Sequence, residues 1–165
     1  NAVRDRLPEI AASLEDLNGI VQLERSTTAD GQVLLVNRWH AKQKIPALLQ
    51  GRLGADSISW VDHAHWDEKT HTCHWTIEPS VLPGYIECGG ITLYESAMAG
   101  RGTRVTFEGH FNLKPGFLNQ LPAAFEPALL AFIEGIVSLV IPRNLTRAII
   151  AAGELVAAEC SSVPQ

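Results

Sequence analysis

The sequence predicts an α+β fold: a strongly bent antiparallel sheet in the middle of the chain, wrapped around a long C-terminal helix. Three observations lead there. From Gln32 to Leu113, apolar and polar residues alternate through five segments, as in strands whose successive side chains face opposite sides. From Pro122 to Ala158, apolar residues instead recur at three- and four-residue steps, the spacing of a helix face. That helix is the one apolar surface large enough to cover the sheet. Where the sheet curves away from it, the space between becomes a cavity for a hydrophobic molecule.

The elements follow in order. Val3, Leu7, Ile10, Ala11, Leu14 and Leu17 have helical spacing, and Asn18-Gly19 is a helix-stopping pair. Ile20 to Arg25 reads as a strand, Ala29-Asp30-Gly31 as a turn and Val33 to Ala41 as its hairpin partner. Ile45-Pro46-Ala47-Leu48-Leu49 starts a short helix with proline in its first turn, and Gly51 and Gly54 stop it. Ile58 to Asp67 places Ile58, Trp60, Ala64 and Trp66 on one face, with Asp62 among them, and Ser59, His63, His65 and Asp67 on the other. After a turn at Glu68-Lys69-Thr70, Cys73, Trp75 and Ile77 oppose Thr72, His74, Thr76 and Glu78. Tyr85 to Glu95 and Thr103 to Leu113 complete the strands, with Val105, Phe107, Phe111 and Leu113 on one face. Gly109 between them marks a bulge or a close approach. Pro115 and Gly116 end the sheet, and Pro142 should kink or break the C-terminal helix.

A chain of 165 residues with 46% hydrophobic and 19% charged residues fits a single globular domain over 1–165. The formal charge is −5 with the cations scattered, which disfavours nucleic acid and anionic membrane surfaces. The apolar window Ala123 to Pro142 carries Glu126, Glu134, Pro127 and Gly135, so no membrane insertion is expected. Cys73, Cys88 and Cys160 lack metal or redox spacing, and are read as reduced structural thiols in a cytoplasmic setting. The first residues lack the cationic, apolar, small-residue pattern of a signal sequence, and since the chain opens on Asn1 and not Met, a lost upstream segment is an expectation.

The element order, with Arg6-Leu7-Pro8-Glu9-Ile10, Val36-Asn37-Arg38-Trp39, Ile45-Pro46, Trp66-Asp67, Trp75-Thr76-Ile77-Glu78 and Gly102-Thr103-Arg104-Val105, resembles the helix-grip superfamily, also called START-like or SRPBCC. The resemblance covers essentially the whole chain and rests on structural motifs, so it bears on fold more than on function. It implies binding or transport of a lipid, sterol or polyketide-like molecule, or polyketide cyclase or aromatase chemistry in the same cavity. It also implies a strand before the first helix, where only two residues precede Val3. An open sheet edge would favour a homodimer or a partner segment added as a strand.

Candidate ligand-lining residues are the sheet aromatics Trp39, Trp60, Trp75, Phe107 and Phe111, with Phe132 and Ile136 from the helix. The alternative role for the tryptophans is to fill the core. His63 and His65 lie about 7 Å apart on one strand face, with His71, His74 or Glu78 as a possible third metal ligand. Asp67 could orient His65 for acid–base work. Both readings compete with plain soluble surface, and neither a metal nor a cofactor is assigned. Asp62 is a costly carboxylate on an apolar face; it pairs with Arg38 or Arg104, sits at a cavity mouth, or acts as a functional acid alongside Arg38 and Tyr94. Nucleophile-elbow, phosphate-loop and dinucleotide-binding glycine motifs are absent.

Overall fold

Six strands pair in sequence order to form one open antiparallel sheet, and a long C-terminal helix follows it, an α+β arrangement consistent with a helix-grip fold. The structure is a computed structural model that describes residues 2–114, 116 and 122–162. The strands are β1 (Leu17–Thr27), β2 (Val33–Lys44), β3 (Ser57–Asp67), β4 (Thr72–Pro79), β5 (Ile86–Ala97) and β6 (Gly102–Leu113). Helices α1 (Ala2–Asp5) and α2 (Leu7–Ala12) precede them, and α3 (Ala47–Leu53) joins β2 to β3. The C-terminal helix comprises α4 (Glu126–Gly135), a π-helical turn (Ile136–Val140) and α5 (Ile141–Ser162). Pro115, expected to end the sheet, lies outside the described residues.

Two local outcomes differ from the spacing. The first helix is two short helices, with Pro8 in the first turn of α2, where a proline suits a helix start but cannot extend the preceding helix. Leu17, Asn18 and Gly19 belong to β1 instead of that helix. Pro142 does not end the C-terminal helix, because the π-helical turn directly before it accommodates the missing backbone donor. The short helix α3 runs through Gly51, expected to help stop it, and ends at Gly54, which is left-handed at φ 67° with its N–H donating to Gln50 C=O.

The chain forms two compact units that interleave along the sequence. One gathers Asn1–Ile20, His40–Ile58 and Leu121–Gln165. In it, α1 and α2 pack against α5, and Ile10, Ile45, Leu49 and Leu129 are its most deeply buried large side chains. Asp16 receives Arg143 at 2.7 Å and Arg147 at 3.4 Å, tying the start of β1 to α5. The segment Ala123–Ala158 is long and apolar enough to cross a membrane by length and composition, and 11% of its apolar window is buried.

The second unit gathers Val21–Trp39 and Ser59–Gln120. Its core is one face of the sheet, where Val33, Leu35, Ala64, Cys73 and Trp75 are buried and Trp66, Ile77, Cys88 and Tyr94 pack against them. The alternation in β3 and β4 creates this face: Ala64 pairs with Trp75 and Trp66 with Cys73, so the apolar set of each strand lands beside that of its neighbour.

Candidate functional site

The Trp75 ring occupies a level of the sheet that its neighbours leave empty. Trp75 pairs with Gly90, and Gly90 with Gly109. A Cβ on Gly90 would stand 2.5 Å from the Trp75 ring and 2.1 Å from the Glu108 carbonyl oxygen, and one on Gly109 would stand 2.9 Å from the same ring. The glycine in β6 therefore marks a close approach, and the register runs through it without a bulge. Phe107 stacks on Trp75 at 4.6 Å, and Trp66 on Tyr94 at 5.4 Å.

One row further along the same face, packing loosens. Asp62, Ile77, Cys88 and Phe111 are in register across β3 to β6, and all four are half-buried. Beside them Trp39 and Trp60, also half-buried, stack at 5.7 Å. Five of the expected lining residues thus share this face, with Trp75 in its core and Trp39, Trp60 and Phe111 in the looser row. Phe132 is buried, Ile136 opens the π-helical turn, and both belong to the other unit.

Asp62 is the one carboxylate in that row. Asn37, itself 3% exposed, donates to it at 3.4 Å, so its partner is an amide and not Arg38 or Arg104. Both arginines sit on the strand positions that alternate away from it and are exposed. Burial pushes the Asp62 carboxyl up to about 6, against smaller opposing pulls from Asn37, Trp39 and His63. Trp39 faces this carboxylate, but its indole geometry falls short of a hydrogen bond, and the buried Nε1 of both Trp39 and Trp75 lacks an acceptor. Burial likewise raises the Cys73 and Cys88 thiols and the Tyr94 hydroxyl. Cys73 and Cys88 are free thiols, and the Cys160 side chain lies outside the described residues. Asn37 was missed by sequence reasoning although a signal existed: it interrupts the alternate apolar positions Val33, Leu35 and Trp39.

The opposite face carries an open groove of about 880 Å³. Its floor is the backbone of the row Ala64, Trp75, Gly90 and Gly109 together with Leu35, and the Leu35, Ala64 and Trp75 side chains are buried in the core of the other face. Its sides come from all six strands, with His63, His65, His74 and His110 among Leu34, Val36 and Ile91. The expected pair on β3 does share this face, and His74 lies directly opposite His65. Among the described residues no three His, Cys, Asp or Glu side chains are placed to hold a metal. Gln32 stands between His65 and Asp67, accepting from His65 Nε2 at 2.5 Å and donating to Asp67 at 3.2 Å. Asp67 is further engaged by the Lys69 N–H at 2.8 Å, so it caps the β3–β4 turn and does not touch the imidazole. His63 faces Glu78 at 3.5 Å.

The aromatic face, then, offers apolar area with one protonatable carboxyl, while the groove offers imidazoles above a peptide floor. Searches against known proteins add no relative: no family model matches the chain, and no curated protein matches it.

Proposed function

We propose that this chain binds an apolar small molecule, lipid, sterol or polyketide-like, that carries a hydroxyl or carbonyl oxygen, and that it does so over the looser row of the aromatic face. The observation that carries the reading is a carboxyl held at about 6 among the half-buried apolar side chains Trp60, Ile77 and Phe111. The Asp62 carboxyl can donate to a ligand oxygen when protonated and accept from a ligand hydroxyl when charged. The stacked Trp39–Trp60 pair supplies flat apolar contact. The element order and the resemblance to helix-grip proteins favour the same reading.

The test is native mass spectrometry of the purified chain, before and after denaturation, followed by titration with fatty acids, sterols and aromatic polyketides read by tryptophan fluorescence. Saturable quenching that is lost in Trp60→Ala supports the reading. Absence of a bound compound, of quenching and of any thermal shift across the panel overturns it.

A second reading, favoured by the raised Asp62 carboxyl, is proton abstraction from such a ligand in a cyclase or aromatase. Asp62 would act as the base at neutral pH, with the Asn37 amide beside it. Arg38 takes no part in this, being on the opposite face, and Tyr94 is engaged with Trp66. Unchanged turnover of a confirmed substrate in Asp62→Asn would remove the base and with it this reading.

A further inference from the structure

β6 closes one side of the sheet, and among the described residues no strand pairs with its outer edge. The direction of its backbone groups is fixed by one bond: Lys114 N–H donates to Tyr85 C=O, in the same register that pairs Leu113 with Ile86 and Glu108 with Ile91. In an antiparallel ladder the bonded residues alternate. Arg104, Thr106 and Glu108 therefore turn their N–H and C=O groups toward β5, while Thr103, Val105, Phe107 and Gly109 turn theirs outward.

We propose that this edge is a self-complementary interface, where β6 pairs antiparallel with β6 of a second copy about a two-fold axis through Thr106. In that register Val105 exchanges backbone bonds with Phe107 of the partner subunit, and Thr103 with Gly109 of the partner subunit. Arg104 falls opposite Glu108 of the partner subunit, twice, at the closely spaced non-bonded positions where Cα atoms approach to about 4.5 Å. Both charged side chains are exposed in the single copy, as is Phe107 at 37%. The register is selected by charge. A slip that moves the axis to Arg104 or to Glu108 sets like charges opposite each other, and the intermediate slips leave both without an opposite charge. The aromatic face then continues across the axis through Val105 and Phe107, joining two sheets into one of twelve strands. This inference does not depend on ligand binding.

Sedimentation velocity and native mass spectrometry of the 165-residue chain over a wide concentration range test it. A concentration-dependent dimer is expected. Glu108→Arg should raise its dissociation constant by about tenfold, and adding Arg104→Glu should restore it. Val105→Pro should abolish the dimer while leaving the thermal unfolding midpoint near that of the parent, because its N–H points away from β5. A monomer at every concentration overturns the interface, as does a dimer indifferent to both Glu108→Arg and Val105→Pro. A mass corresponding to one copy plus a bound peptide segment assigns the edge to another occupant and also overturns it.

Discussion

Asp62 and Asp67 stand on the same strand, five residues apart, and the two faces of the sheet treat them in opposite ways. Asp62 points to the aromatic face, where lost hydration outweighs an amide at 3.4 Å and the carboxyl is held up at about 6. Asp67 points to the groove side at the end of the strand, where the Lys69 N–H and Gln32 hold it below the ordinary 3.8. The same residue type is therefore a polar group poised to exchange a proton on one face and a turn cap on the other. Alternation decides which, since a shift of one residue would reverse the two roles.

The largest effects should come from the tightly packed level of the aromatic face. Trp75→Ala removes a buried ring from a stack and from its glycine platform, and should cost about 4 kcal/mol in denaturant unfolding. Gly90→Ala forces a Cβ against the Glu108 carbonyl at 2.1 Å, an obstacle of backbone, and should cost about 3 kcal/mol. Gly109→Ala meets the Trp75 ring edge at 2.9 Å and a backbone carbonyl only at 3.5 Å, an ordinary contact, and should cost less. If Gly90→Ala were neutral, the platform would not be the source of the tight packing on this face.

Next comes the pH dependence of Asp62. Its folded value of about 6 lies above the ordinary 3.8, so the folded chain binds the proton more tightly than the unfolded chain. Its contribution is complete below pH 3.8 and is lost as pH rises through 6. Asp62→Asn should flatten stability across that window and gain about 2 kcal/mol at neutral pH, somewhat under the full conversion of the shift because the residue keeps partial exposure. A loss of stability at neutral pH would mean that the Asn37 bond outweighs burial. Asp67 has the opposite sign: its contribution is present above pH 3.8 and is lost as pH falls through its depressed folded value. Asp67→Asn should lower the melting midpoint slightly at neutral pH and leave it unchanged in strong acid.

The smallest effect is chemical. Burial raises the Cys73 thiol, so thiol reagents at mildly alkaline pH should label it only as the chain unfolds.

Most of the sheet was legible because its period of two is strong. The face shared by Trp60, Ala64 and Trp66 and the face shared by His63 and His65 both follow from alternation alone, and the β3–β4 register keeps them apart. The N-terminal helix was less legible because its spacing continues through Pro8, and proline's missing donor overrides periodicity. The reach of the π-helical turn was invisible for a related reason: a single wide turn absorbs Pro142 without changing which residues are apolar. The site was legible as a set of aromatics and an odd acid. Its pairing was not read, since an arginine is the usual expectation for a buried carboxylate, although alternation places Asn37 and not Arg38 on the apolar face of β2.

The Gly90–Gly109 platform also constrains how this protein can change over time. Three positions on three strands share the volume of one indole, so none of them can drift alone. A methyl gained at 90 or 109 calls for a smaller ring or an aliphatic side chain at 75, and a smaller residue at 75 leaves a void that only side chains at 90 or 109 refill. In diverged copies of this chain the three positions should covary as a unit, and Trp75→Leu should rescue Gly109→Ala more fully than Gly90→Ala, whose obstruction is partly backbone.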